Sequence, residues 1–282
     1  MTDTISAWGG ELDPPQHVLR VDVNALNYCA YDLATTTEER LEGYLAVPNT
    51  LESAYIDIYA LHDKKRIIEA VGHAGVLGRG LERPPIVMSL CLTIREGLTW
   101  LVAGYEDGSV QAWTMSMSDA HPTTELCWSL RPHKESVMAL TLTPDHQAVV
   151  SVGADQRLVR ITLNLHPAVD TFSLPRPGNA SVAVRADQQI SAVGGWDGGV
   201  RIVSQTKKLL ATLLYHKQGI GSVAFIRRNL VNTLTIAEMD SDEEDSRIVP
   251  AHLLAVGAKD GRVSLWDTPF TVADVTPALR AP

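Results

Sequence analysis

The chain has 282 residues, of which 45% are hydrophobic, and its formal net charge at pH 7 is −9. No apolar run approaches the length of a transmembrane helix, and the opening residues MTDTISAWGG lack the basic start and apolar core of a signal peptide. Basic residues form no stripe, so the acidic balance argues against direct binding to nucleic acid. These features favour a single globular domain without membrane contact.

The first predicted elements are the short strands TISAW and QHVLRV, which we interpret as the last two strands of a broken unit over residues 1–20. The strand VNALNYCAY and the apolar pair in GYLAVPNTLESAYIDIYAL, residues 43–61, then begin the first complete unit. This unit has no Asp at its central turn. It is therefore the weakest copy of the pattern that follows.

Three later segments share one frame: an apolar run, a Gly, two variable residues, Asp-Gly, any residue, and a Val that begins an alternating run. They are WLVAGYEDGSVQAW, ISAVGGWDGGVRIV and LLAVGAKDGRVSLWD, in which Asp107, Asp197 and Asp260 coincide. Asp-Gly tolerates the backbone of a tight turn, and alternation is typical of a strand. Each segment therefore predicts a β-hairpin.

A fourth copy, VVSVGADQRLVRIT, fits this frame if Gln156 takes the Asp slot and Asp155 stands one place early. With an apolar run before each hairpin and a short strand after it, every unit has four strands. The steps from 107 to 156 and from 156 to 197 are close to the roughly 40–45 residues of a WD-repeat blade. The chain is therefore predicted to be an all-β WD-repeat propeller, a single domain over residues 1–282 with about five blades visible.

The Trp-Asp dipeptide of such repeats is expected at the end of the strand after the turn. Trp266 and Asp267 stand there in the last unit, and Trp113 takes the same place in an earlier one. Trp196 precedes the turn Asp itself. The dipeptide formed by Trp196 and Asp197 is thus an accident of register.

In their order, WLVAGYEDGSVQAW, SVGADQRLV, ISAVGGWDGGVRI and LLAVGAKDGRVSLWD resemble the C-terminal blades of the ASTRA-associated WD-repeat proteins of fungi. They are also similar to the animal Gβ-subunit-like WD-repeat protein. The resemblance covers about residues 20–270 and implies a seven-bladed family fold. Compared with that family the chain is expected to be shortened at its N-terminus, and a genuine five-bladed ring is the alternative.

The resemblance implies a nuclear, non-enzymatic scaffold of the ASTRA complex, with the cytoplasm as a second compartment. This role is linked to chromatin remodelling and to co-chaperones that mature phosphatidylinositol-3-kinase-like kinases. The expected partners are ASTRA subunits and kinase co-chaperones, with the chain monomeric inside a larger complex and without a cofactor. The alternatives are a ubiquitin-ligase substrate adaptor with a ring of Arg residues and, least favoured, a hydrolase propeller.

WD-repeat blades often contain a His–Asp–Ser/Thr–Trp hydrogen-bond network, and the resemblance implies a partial one here. The predicted structural residues are Asp107, Asp197, Asp260, Trp113, Trp266, His133 and His216. Four residues before the turn Asp, where the family often has Ser, the three matching copies have Ala103, Val193 and Val256. The residues that we expect to be exposed at the turns and to contact partners are Tyr105, Glu106, Trp196 and Lys259.

The residues 231–250 form an acidic insertion within the last unit. Six acids and one base lie between positions 238 and 247, a density that predicts a disordered surface loop. Ser241 is followed by four acids, which is the pattern of an acid-directed kinase site. A regulatory phosphorylation at Ser241 is the alternative to a plain solvated loop.

Overall fold

The computed structural model describes residues 2–9, 16–24, 27–36, 42–72, 83–117, 122–226 and 252–270. Within these residues all twenty-one regular elements are β-strands, so the predicted all-β class is confirmed. The acidic insertion and Ser241 lie outside the described residues. Their predicted disorder and phosphorylation therefore stay predictions.

The strands follow one another in chain order, and most connections are short, with the connection from β19 to β20 the longest. The first ten are β1 (Thr2–Gly9), β2 (Gln16–Asn24), β3 (Asp32–Thr35), β4 (Gly43–Pro48), β5 (Tyr55–Ala60), β6 (Lys65–Gly72), β7 (Val87–Arg95), β8 (Leu98–Tyr105), β9 (Val110–Ser116) and β10 (Thr123–Leu130). The others are β11 (Val137–Leu142), β12 (Ala148–Gly153), β13 (Arg157–Thr162), β14 (Val169–Ser173), β15 (Asn179–Val184), β16 (Ile190–Gly195), β17 (Gly199–Ser204), β18 (Leu209–Leu214), β19 (Ile220–Phe225), β20 (Leu253–Ala258) and β21 (Val263–Asp267).

Successive strands pair antiparallel and form a series of small sheets. Blades one to four are four-stranded (β3–β6, β7–β10, β11–β14 and β15–β18), and blade five has the three described strands β19–β21. The first strand of each blade contacts the first strand of the next, from β3 through β7, β11 and β15 to β19. Four-stranded meanders joined through their first strands are the architecture of a WD-repeat β-propeller, which is the fold predicted from the sequence.

The N-terminal strands β1 and β2 pair with each other as a separate hairpin. Val21 of β2 is buried together with Leu45 and Val47 of blade one, so the hairpin covers one face of that blade. Both segments predicted as strands near the N-terminus are therefore strands. Their interpretation as the remnant of a further blade stays a prediction.

The core lies between neighbouring sheets and explains why the central strands are apolar along their whole length. Every residue of β12 and β17 is buried, because each of these strands is covered on both faces. In β21, by contrast, Val263 is 72% and Leu265 is 62% exposed. Within the described part of the chain no further sheet lies beyond them.

Candidate interaction face

One end of the blades carries both the turns between second and third strands and the loops that lead into each blade. We call this surface the turn face; it consists of turns 106–109, 154–157, 196–199 and 259–262 and loops 131–136, 174–178 and 215–219. Backbone hydrogen bonds link most of its neighbouring segments, and turn 196–199 contacts loop 215–219, where a Cβ atom on Gly198 would come within 2.5 Å of the His216 carbonyl oxygen. The N–H groups of His133, Gly178, Trp196 and Lys259 donate to the carbonyls of Gly108, Ala154, Gly178 and Gly219, respectively. The turn face is therefore one continuous, backbone-supported surface.

Four of the five central turns are built around an Asp whose carboxylate accepts the N–H group two residues later. The donor–acceptor distances are 3.0 Å at Asp107, 3.0 Å at Asp155, 3.2 Å at Asp197 and 3.1 Å at Asp260. In three turns the next residue is a Gly with positive φ, namely Gly108, Gly198 and Gly261. In blade three this slot holds Gln156.

The predicted register of the fourth copy is wrong, because Asp155 and not Gln156 is the turn acid. Strand pairing sets Gly153 opposite Val137, as it sets Tyr105 opposite Val87. Gly153 is therefore equivalent to Tyr105 and not to Gly104, the Gly of the frame in blade two. The sequence alignment had matched Gly153 to Gly104, which shifted the fourth copy by one residue. Ser151, four residues before Asp155, was the sequence signal for the correct register.

Blade three contains a buried network around Asp155. His133 lies 3.0 Å from Asp155 through Nδ1 and 2.8 Å from the Ser151 hydroxyl through Nε2. The N–H of Lys134 donates to the same carboxylate at 2.9 Å. Burial lowers the pKa of His133, and the neighbouring Asp155 offsets only part of that effect. The neutral imidazole therefore joins the entering loop to the central turn.

Blade five has a similar His–Asp–Ser network, in which the Ser lies on the third strand instead of the second, and extends it to the Trp. His216 Nδ1 lies 3.2 Å from both carboxylate oxygens of Asp260, and its Nε2 lies 2.9 Å from the Ser264 hydroxyl. Trp266 donates its indole N–H to the same hydroxyl at 2.8 Å. Ser264, which the sequence analysis missed, could have been found because it stands two residues before Trp266 on the same strand face.

In blade four the turn acid is paired within its own hairpin. The loop 174–178 has no His, and Asp197 accepts two hydrogen bonds from the guanidinium of Arg201, one of them at 2.8 Å. This pairing holds the pKa of Asp197 below its usual value. Arg176 of the entering loop adds a longer contact of 3.7 Å to the same carboxylate.

In blade two the turn acid, Asp107, is also bonded within its own hairpin. Asp107 accepts the hydroxyl of Ser109 at 2.6 Å, and its backbone carbonyl accepts from Arg131 at 2.8 Å. Trp113 packs in the apolar core between blades one and two. The structure therefore places Asp107 and Trp113 in separate environments. His73, the His of the loop before this blade, lies outside the described residues.

Three of the four residues predicted to contact partners have accessible side chains. Glu106 forms an exposed ion pair with Arg83, Lys259 is exposed, and Trp196 is 50% exposed beside Gly178. The expected exposure of Tyr105 is wrong. Tyr105 ends β8 opposite Val87, and its side chain is fully buried in the core of blades one and two.

The polar groups of this face are mainly committed to one another. The turn carboxylates already accept several hydrogen bonds, which fits a structural role. Among the described residues no group of three His, Cys, Asp or Glu side chains could hold a metal ion. In the same part of the chain no helix is long and apolar enough to cross a membrane.

Fungal proteins are similar in sequence to this chain over most of its length. The chain is 31% identical to ASTRA-associated protein 1 of Verticillium alfalfae over 88% of its own length and 65% of that relative. It is 26% identical to ASTRA-associated protein 1 of Penicillium rubens, with coverage of 94% and 74%. The chain is thus similar in sequence to ASTRA-associated proteins of fungi. The resemblance predicted from the blade motifs is therefore confirmed.

An animal protein is also similar to the chain. The mouse guanine nucleotide-binding protein subunit beta-like protein 1 is 30% identical over 64% of the chain and 48% of its own length. No protein-family model matches the sequence. Since the chain spans 65% of the Verticillium relative, the match concerns part of that protein.

Proposed function

We propose that the chain is a non-enzymatic scaffold that binds protein partners within an ASTRA-type assembly. The observation that carries this proposal is the turn face, a continuous surface supported by backbone hydrogen bonds and buried networks. A rigid surface of this kind can bind a partner without a large ordering cost. The name of the fungal relatives, ASTRA-associated protein 1, supports the choice of assembly.

The finer role follows from the family resemblance. We propose that the assembly acts in chromatin remodelling and cooperates with co-chaperones of phosphatidylinositol-3-kinase-like kinases, and that the protein works in the nucleus. A fluorescent fusion should then accumulate in the nucleus. A fusion excluded from the nucleus would contradict the chromatin role. The co-chaperone role would then be tested only by the partners recovered in the purification described next.

Affinity purification of the tagged protein at its natural expression level, followed by mass spectrometry, tests this function. We expect ASTRA subunits and kinase co-chaperones to be recovered well above an untagged control. Recovery of cullin adaptors in their place would favour the ubiquitin-ligase alternative. A purification that recovers neither group would contradict the scaffold proposal.

A further inference from the structure

The turn face differs in charge from the molecule as a whole. The protein has a formal net charge of −9, yet six exposed basic residues belong to this face: Arg131, Lys134, Arg176, Lys217, Lys259 and Arg262. Its accessible acids are Glu106, Glu135 and Asp197, of which Glu106 is paired with Arg83 and Asp197 with Arg201. Asp155 and Asp260 are paired with His133 and His216, and Asp107 accepts the hydroxyl of Ser109. The accessible charge of this face is therefore positive.

A half-exposed aromatic ring lies among these cations. Trp196 rests against Gly178 of the loop that carries Arg176, where a Cβ atom on Gly178 would approach the indole to 2.5 Å. On the other side, its backbone adjoins Gly219 of the loop that carries Lys217. Because both loops are fixed by glycines against this turn, Trp196 keeps an exposed ring between two basic loops. Aromatic residues in such positions are frequent interface anchors.

We propose that the turn face of blades three to five binds a carboxylate-rich segment of a partner protein, with Trp196 contacting an apolar side chain within that segment. This inference rests on the proposed scaffold function and specifies the chemistry of one partner. The cations belong to separate loops and turns, so several spaced carboxylates match them better than one focused phosphate group. Charge complementarity of this kind mainly provides specificity and faster association.

Other anions match the molecule less well. A membrane surface or a long nucleic acid would extend over the acidic remainder of the protein and be repelled by it, whereas a short peptide segment contacts the turn face alone. The chain also has its own acidic insertion between β19 and β20. The residues that flank it, Ile226 and Leu253, pair at the opposite end of blade five from Asp260. The insertion is therefore attached away from this face.

The test uses the purified full chain and a fluorescein-labelled peptide of Asp and Glu residues with one central Leu, followed by fluorescence anisotropy. The double variant Lys217→Glu/Lys259→Glu should raise the Kd by about tenfold or more. The matched control Lys65→Glu/Lys208→Glu makes the same charge change at the other end of the blades. Lys65 is the exposed first residue of β6, and Lys208 is the exposed residue just before β18. The control variant should bind the peptide with the same Kd as the unmodified protein. A higher salt concentration should weaken binding by the unmodified protein and by the control variant.

A third variant and two competitors complete the experiment. Trp196→Ser should weaken binding of the Leu peptide more than binding of a matched peptide with Gly in its place. Equal weakening by both charge variants would overturn the proposal, as would tighter binding of duplex DNA or phosphatidylserine vesicles than of the peptide. Binding that appears only after deletion of residues 238–247 would assign the face to the chain's own acidic segment and would also overturn it.

This experiment can fail independently of the scaffold function. Absence of saturable peptide binding up to about 1 mM would overturn the acidic-segment inference. Recovery of assembly subunits in the affinity purification would still support a scaffold that uses another surface. Loss of those subunits, with peptide binding intact, would instead contradict the scaffold proposal alone.

Discussion

The turn Asp is paired with a different side chain in blade three than in blade four. In blade three, Asp155 is bonded to His133 of the entering loop, and its side chain is 7% exposed. In blade four, Asp197 is bonded to Arg201 of the following strand, and its side chain is 29% exposed. The turn N–H fixes the place of the acid in both blades, whereas the side chain that balances its charge can come from either neighbour.

The partner of the turn Asp determines which chain segments the Asp connects. Asp155 connects two chain segments and is shielded, so it ties the loop between blades two and three to the hairpin. Asp197 stabilises its own hairpin, and the loop before blade four is held by the N–H of Trp196 donating to Gly178. The comparison teaches that equivalent residues in repeated blades need not contribute equally to stability.

The largest effect is expected for Asp155→Ala. This change leaves the buried His133 nitrogen and the Lys134 N–H without their acceptor, at a cost of about 2–3 kcal/mol in the free energy of unfolding. Urea unfolding of the intact chain measures the loss. Asp155→Asn, which keeps the shape and one acceptor oxygen, should lose less.

A smaller loss, about 1–2 kcal/mol, is expected for Asp197→Ala. The Arg201 side chain is only 4% exposed, but truncating the 29%-exposed Asp197 side chain opens a path by which water can reach the guanidinium. The measurement is the same unfolding experiment under identical conditions. If Asp197→Ala is as destabilising as Asp155→Ala or more so, the different exposure of the two Asp side chains does not explain how much each contributes to stability.

Ser151→Ala should cost about 1 kcal/mol, since it removes one neutral hydrogen bond to His133. Ser173→Ala, at an exposed position on the outer strand of the same blade, is the matched control and should leave the unfolding midpoint unchanged. Similar losses for both would remove Ser151 from the network.

Acidification should reveal His133 through a still smaller difference. Its pKa is lowered in the folded protein by burial, so at mildly acidic pH the unfolded chain binds the proton more readily. The stability that this residue contributes is therefore present above its ordinary pKa of 6.5 and declines as the pH falls below that value. His133→Gln should lose less melting temperature than the unmodified protein between about pH 7.5 and pH 5.5. An identical loss would contradict a buried neutral imidazole.

The fold could be predicted because its signals are local. Asp-Gly turns and alternating apolar residues specify hairpins over a few positions, and the strand pairs β8–β9, β16–β17 and β20–β21 lie where the frame put them. The register of blade three failed because a Gly was matched by identity. The pairing of β12 with β11 decides the register and involves residues outside the hairpin, while within the hairpin only Ser151 indicated it.

The side-chain partners were harder to predict. Arg201 and Ser264 stand at the same distance after their turn acids, yet one forms an ion pair and the other bridges His216 to Trp266. The difference depends on whether the entering loop provides a His, which is a contact between distant residues. The prediction that Tyr105 is exposed was wrong for a related reason, because the position of Tyr105 on β8 points its ring toward blade one.

A double-mutant cycle between His133 and Asp155 tests most directly the claim that blade three is tied through its turn acid. Unfolding free energies are measured for His133→Ala, Asp155→Ala, the double variant and the unmodified chain. We expect a coupling energy above about 1 kcal/mol, whereas the matched cycle of His133 with Asp197 should be additive within about 0.5 kcal/mol. An additive result for His133 and Asp155 would contradict the account.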